Sequence, residues 1–429
     1  MVFAFYKETN FKETPIGEIP KDWGFTRLNN LIDIETGKRA KGGALDKGNV
    51  ASIGGEHLDN EGNIIWKDMK FIPEDFYESL KQGKVKLGDI LLVKDGATTG
   101  KVAWIKKFEY EKVAVNEHVF IIRSKADKLI NGFLFYFLFS KLGQNQIKTR
   151  FHGLIGGIIR DDLETILIPI PSLLEQQKIT EILSTVDEAI QKTNEIIAKT
   201  ERLKKGLMHE LLTKGIGHKE FKDTEIGRIP KEWEVAKLSS IAEDIYYGIT
   251  AKTVKNKQSL RMLRTTDIKN YNVDWNALPF CEVTEKRQDI QRFLLRQGDL
   301  IIARAGTTGV SVLVDKDFDD IIFGSYLIKV RLSKKVHPKF MHYFCQSHLY
   351  WNHVTSSQAG STLKNINLPI LKSLNVPLPP LLEQQKIAEI LSTVDKRLEV
   401  ERKRKEKLER IKKALMDLLL TGKIRVKVG

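Results

Sequence analysis

The sequence predicts an α+β protein built twice: two globular bodies, each leading into a long helix, with the two helices packed as an antiparallel coiled coil about an internal pseudo-two-fold. Three observations predict it. A twenty-residue phrase recurs at an offset of 208, PSLLEQQKITEILSTVDEAI (171–190) and PPLLEQQKIAEILSTVDKRL (379–398), with 15 positions identical. From each copy onward, apolar residues return every three or four positions over about 40 residues. Ahead of each copy lie short β-branched runs bounded by Gly and Asp, without the strand–helix alternation of a doubly wound sheet.

Each half opens on an IGxIPKxW phrase, in FKETPIGEIPKDWGFTRL (11–28) and FKDTEIGRIPKEWEVAKL (221–238), which reads as a turn-rich opening segment. In the bodies, ILLVK (90–94), VAWI (102–105), VFIIR (119–123), LIIAR (300–304) and SVLV (311–314) read as strands. FLFYFLFS (133–140) and KFMHYFCQSHLYWNHV (339–354) each read as an amphipathic or buried helix. Between the matched pieces the halves diverge, SIGGEHLDNEGNIIWKDMKFI (52–72) against MLRTTDIKNYNVDWNALPF (262–280), so one frame carries two different surfaces.

The long helices follow. Ser172 and Glu175 fit a capping box, hydroxyl and carboxylate each satisfying a free backbone N–H; Pro380 replaces the serine in the second copy and leaves only proline's preference for a helix start. Gly215 and Gly422 end the helices. The packing stripe is assigned to Ile179, Leu183, Val186, Ile190, Ile197 and Leu207 in the first helix and to Ile387, Leu391, Val394, Leu398, Leu408 and Leu415 in the second, with Ile182, Leu203, Leu211, Ile390, Ile411 and Leu419 repeating the period. At ~1.5 Å per residue each stripe runs roughly 60 Å, and each buried Leu or Ile contributes ~1.5–3 kcal/mol, so the helices need partners and each other is the economical choice. The polar centres, Thr193 and Thr200 in one and Glu401 and Lys405 in the other, are expected to tolerate an extra turn best. KRLEVERKRKEKLERIKK (396–413), with ten basic and four acidic residues, reads as a solvated face, phosphate or partner binding being the alternative.

At 429 residues the chain exceeds one ordinary core. No apolar run nears the roughly 18 residues of a membrane span and Met1–Asn10 lacks a signal-peptide core, so a soluble, cytoplasmic chain with no membrane partner is expected. Cys281 and Cys345 are its only cysteines, too few for a disulfide framework or a cysteine-rich metal cluster. Lys and Arg outnumber Asp and Glu by 70 to 55, a net charge of +15, which points to a polyanionic partner, nucleic acid first, or to a merely solvating surface.

Catalytic motifs are missing. GATTGKV (96–102) is one residue short of a phosphate-binding P-loop and has Val102 where Ser or Thr would hold magnesium; AGTTGVS (305–311) has no lysine at all. Both read as tight strand connections. GLIGGIIR (153–160) lacks G-x-G-x-x-G spacing, the nine histidines form no H-E-x-x-H, and neither a G-x-S-x-G elbow nor an Asn-Pro-Pro-aromatic tetrapeptide occurs. No metal, cofactor or catalytic residue is expected.

With the LLEQQKI phrases, the IGxIPKxW openings and the paired turns GDILLVKDGATTG (88–100) and GDLIIARAGTTG (298–309), the chain resembles the specificity subunit of type I restriction-modification systems over essentially its whole length. The resemblance implies target-recognition domains at 1–170 and 216–378, long helices at 171–215 and 379–422, and a C-terminal tail at 423–429. Each domain would read one half of a bipartite, asymmetric target on double-stranded DNA, and the helices would set the spacer. It implies as partners two modification (methyltransferase) subunits and two restriction (ATP-dependent translocase and nuclease) subunits, the chain itself supplying no catalysis. Base contacts do not carry over by position, so contact residues are assigned from charge and loop placement: Lys38, Arg39, Lys41, Lys94, Thr98, Thr99, Lys101, Arg150 and Arg160 in the first body, and Lys252, Lys255, Lys257, Arg264, Arg304, Thr307, Thr308 and Lys364 in the second. On the residues alone, a nuclease or methyltransferase acting by itself and a coiled-coil spacer between two protein ligands stay open.

Overall fold

A computed structural model describes residues 4–125, 127–153, 156–256, 259–283, 290–357 and 365–427. The chain forms two compact units, residues 1–194 with 403–429, and residues 195–402. Each unit therefore holds one body, the first half of that body's helix, and the second half of the other helix.

The first body carries two sheets. One is antiparallel, in the order Ile32–Thr36, Val119–Ser124, Ile90–Val93, Val102–Trp104; the other sets Val50–Ile53 between a parallel neighbour, Lys112–Val115, and an antiparallel one, Lys70–Ile72. The second body repeats both. Its antiparallel sheet runs Ala242–Tyr247, Leu327–Leu332, Leu300–Ala303, Ser311–Leu313, and its mixed sheet sets Leu260–Leu263 between Ile321–Phe323, parallel, and Phe280–Glu282, antiparallel, with Lys252–Val254 at the edge. Ile90–Val93 and Leu300–Ala303 are buried along their whole length, which is why they read as unbroken apolar runs and not as alternating strands.

Three local readings change. The IGxIPKxW opening is a β-hairpin, Phe11–Lys12 with Ile19–Pro20 and Phe221–Thr224 with Gly227–Pro230, its turn fixed by a threonine hydroxyl (Thr14, Thr224) donating to a glycine carbonyl (Gly17, Gly227). The 339–354 stretch is two helices, Pro338–Phe344 and His348–Ser356, because Ser347 leaves the first by donating to the Phe344 carbonyl and caps the second by accepting from the Tyr350 N–H. Ser140 makes the same break between Asn131–Phe139, whose apolar residues lie in the core on every side, and Lys141–Lys148. Finally, 423–429, read as a tail, contains a strand, Ile424–Val426, antiparallel to Phe5–Lys7.

The long helices run Leu173–Thr213 and Leu381–Leu419. The repeated phrases turn out to be each other's contacts. Glu175 of the first LLEQQKI accepts from the indole N–H of Trp23 at 3.1 Å and from Arg425 at 2.8 and 2.9 Å; Glu383 of the second accepts from Trp233 at 2.9 Å, with His218 and the Ile216 N–H in place of the arginine. The capping box is thus half formed. Ser172 accepts from the Glu175 N–H at 3.2 Å, but the carboxylate is spent on the Trp and Arg. The next residue, Gln176 or Gln384, is buried and spans two backbone carbonyls and one N–H of its own body, identically in both copies. Farther along, Asp187 accepts from Tyr136 and pairs with Lys412 at 2.6 Å, while Asp395 accepts from Tyr343 and pairs with Lys204 at 2.7 Å.

Helix packs on helix within each unit. In the first, Ile179, Ile182 and Leu183 share a core with Met416, Leu419 and Leu420, Leu415 lying against it; in the second, Ile387, Ala388 and Leu391 meet Met208, Leu211 and Leu212, with Leu207 beside them. One set of numbers falls as the other rises, so the pairing is antiparallel. Ile190 and Leu398 are buried, and Val186, Ile197, Val394 and Leu408 half-buried. Leu203, Ile390 and Ile411, counted in the stripe, are exposed, since a two-helix contact covers a narrower seam than the apolar period offers. The centres also differ from expectation. Thr193 and Glu401 are each only 1% exposed, the threonine hydroxyl being satisfied by the Ala189 carbonyl one turn back and Glu401 pairing with Arg397 at 2.6 Å. The basic run is not simply solvated, because Lys405 meets Glu61 at 2.9 Å and Arg402 meets Glu201 at 2.7 Å.

His342 yields a pH prediction. Burial, with Lys204 nearby, holds its imidazole down to about 4 from the ordinary 6.5, and among the described residues its Nδ1 has no hydrogen-bond partner. Between pH 6.5 and about 4 the unfolded chain takes up a proton that the folded site refuses. Stability present above that window is therefore lost as pH falls through it, by roughly 3 kcal/mol at most. Denaturant titrations at stepped pH should show this slope in the parent chain and a flatter one in His342→Phe; equal slopes would refute it.

Candidate nucleic-acid interface

In both bodies a basic loop leaves the first strand of the antiparallel sheet through a glycine that nothing larger can replace. A Cβ on Gly37 would lie 2.0 Å from the Val115 carbonyl oxygen and 2.2 Å from that of Asn116; on Gly248 it would lie 2.3 Å from those of Phe323 and Gly324. Lys38, Arg39 and Lys41 follow Gly37 and are exposed, while Ala40 between them is buried with Val50, Ile72 and Leu80 and ties the loop down. Lys252 and Lys255 are exposed as well, but Lys252, assigned to a loop, opens the edge strand Lys252–Val254 and Lys255 follows it; Lys257 and Lys364 lie outside the described residues.

The glycine-threonine turns hold the other assigned residues. Lys94 donates its N–H to the His118 carbonyl and Arg304 donates its N–H to that of Tyr326, both at 2.9 Å, so the two cations occupy equivalent places. Each turn connects antiparallel strands, not a strand to a helix as a P-loop does. Thr99 donates to Gly96, Lys101 donates to the Leu58 carbonyl at 3.2 Å, and Thr98, Thr307 and Thr308 sit in the turns themselves. The Arg304 guanidinium lies 4.4 Å from the Tyr247 ring centre. Three other assigned cations are occupied within their own bodies: Arg150 donates to Gln146 and Thr165, Arg160 to the Ile34 carbonyl, and Arg264 to both carboxylate oxygens of Asp267.

Sequence reasoning missed the turn between the basic loop and the glycine-threonine turn, Asn116–Glu117–His118. With Lys38, Arg39, Glu56 and Lys70 it lines a groove of about 250 Å³. Its three letters share nothing with their counterparts, Gly324–Ser325–Tyr326, so no repeat exposed them. The only signal was their place, between two buried strands in both halves. A larger cleft of about 1050 Å³ lies elsewhere in the first unit, between residues 59–67 and the helices; two of its carboxylates are paired, Asp187 with Lys412 and Lys106 and Glu61 with Lys405. Among the described residues no His, Cys, Asp and Glu cluster could hold a metal, and no helix is long and apolar enough to cross a membrane.

The frame, the paired helices and the doubled basic surface match one class of protein. Residues 20–202 and 230–410 each match the type I restriction modification DNA specificity domain. The chain belongs to this family and is a specificity subunit of it. It is 31% identical to the type I restriction enzyme MjaVIII specificity subunit of Methanocaldococcus jannaschii, over all of this chain and 99% of that one. It is 27% identical to the EcoKI specificity subunit of Escherichia coli over 47% of this chain and 44% of that one. Among solved structures it shares its fold with the S subunit from M. genitalium, at a TM-score of 0.59 and 16% identity over 95% of this chain and 98% of that one.

Proposed function

We propose that the two bodies read the two halves of a bipartite, asymmetric DNA target, that the helices form a coiled coil fixing the spacer, and that the chain performs no catalysis. The observation that carries this reading is the pairing of a repeated frame with unlike surfaces. Anchors such as Glu175 and Glu383 are the same in both halves, whereas the exposed cations after the first sheet strand are Lys38, Arg39 and Lys41 in one and Lys252 and Lys255 in the other. Phosphate contacts from such cations position a duplex, and base contacts between them specify it. The same reading places the chain in the cytoplasm with two modification and two restriction subunits. In support, part of each LLEQQKI is not used as an anchor: Leu174 and Leu382 are 66% and 74% exposed, one identical apolar foothold per half for an identical partner.

Grafting the second body, residues 239–374, in place of residues 29–166 tests the reading. Selection from randomised duplexes should return a nearly palindromic target in place of an asymmetric one. A folded hybrid that still selects the parental site would refute it.

A further inference from the structure

The geometry points to the three-residue turns Asn116–Glu117–His118 and Gly324–Ser325–Tyr326 as the base-reading positions of the two bodies. This rests on the DNA-reading function proposed above and goes beyond it by naming the side chains. Three backbone hydrogen bonds hold both turns in one conformation. The first residue donates to the neighbouring strand, Asn116 to Ile53 and Gly324 to Leu263, both at 2.9 Å; the residue after the turn donates back to its first, Val119 to Asn116 at 3.3 Å and Leu327 to Gly324 at 2.9 Å; and the third accepts from Lys94 or Arg304. Gly37 and Gly248 press their backbones against the same turns, and in the first body Lys38 and Arg39 line one groove with Asn116, Glu117 and His118.

A rigid, doubly repeated frame that presents unrelated side chains beside phosphate-binding cations is what discrimination needs, since precision comes from the support and identity from the side chain. The chemistry differs between the halves. Glu117 lies 3.7 Å from the exposed Arg39 and 3.5 Å from His118, whose other ring nitrogen meets Asp95. A carboxylate accepts from the exocyclic amino group of cytosine or adenine, and an arginine beside it can fork to guanine. In the second body Tyr326 stands 64% exposed with no charged partner at the turn among the described residues, an apolar ring suited to a thymine methyl.

The test uses the full chain and selection from randomised duplexes. Glu117→Ala should lose discrimination at one amino-bearing base of the first half-site, by roughly 5- to 150-fold, and Glu117→Gln, which keeps an acceptor and adds a donor, should favour adenine there, while the second half-site is retained by both. Tyr326→Ala should do the converse at a thymine of the second. If the parent chain selects a bipartite site and all three folded variants select that same site unchanged, the assignment of the turns is overturned and the DNA-reading function stands. If the parent chain selects no sequence, both fall together.

Discussion

Glu175→Ala is expected to destabilise the first unit by roughly 3–5 kcal/mol, the cost of leaving one member of a buried ion pair without its partner. Glu175 is buried, Arg425 nearly so, and the pair ties the start of the first long helix to the strand Ile424–Val426 and, through Trp23, to the opening hairpin. The carboxylates beside it hold the Arg425 guanidinium well above its ordinary range, so it cannot shed its charge when Glu175 is lost. Glu8 and Asp22 remain on it at 3.0 and 2.8 Å and keep the loss from being larger. Glu383→Ala should cost less, because its partners are a tryptophan, a backbone N–H and an imidazole in place of the guanidinium. Denaturant unfolding of the two variants checks the order. Equal losses would mean that the arginine adds nothing beyond the shared tryptophan contact.

Lengthening both long helices by seven residues, between Asn194 and Glu195 and between Arg402 and Lys403, is expected to add about three base pairs to the spacer and leave the bases read on either side unchanged. Seven residues extend a helix by ~10 Å, and a duplex running along the pair rises ~3.4 Å per base pair. The number matters because Thr193 and Glu401 are buried, so the centres are packed surface and not a tolerant polar gap. Seven residues turn the downstream face by only about 20°, whereas four turn it by about 40°. The added pairs also rotate one half-site around the duplex, so some affinity should be lost even at the new optimum. Selection from randomised duplexes decides it: an unchanged spacer would mean that these helices do not set it.

Much of this protein was determined by sequence alone, because repetition and period are one-dimensional. The offset of 208 revealed the duplication, and the spacing of Ile179, Leu183, Ile387 and Leu391 revealed helices that bury one side. The runs at 90–94 and 300–304 marked core strands, since a strand covered on both faces has no polar alternation to hide it. What only the tertiary structure decided is which repeated words touch. Trp23 and Glu175 stand 152 positions apart and Glu175 and Arg425 stand 250 apart, and no local period reports such pairs. Nor could it separate Arg150, Arg160 and Arg264, spent on their own bodies, from Lys38 and Arg39, exposed beside a groove. A guanidinium reads the same in sequence whether its donors face a carbonyl or solvent, and only the folded backbone fixes which acceptors come within hydrogen-bonding reach.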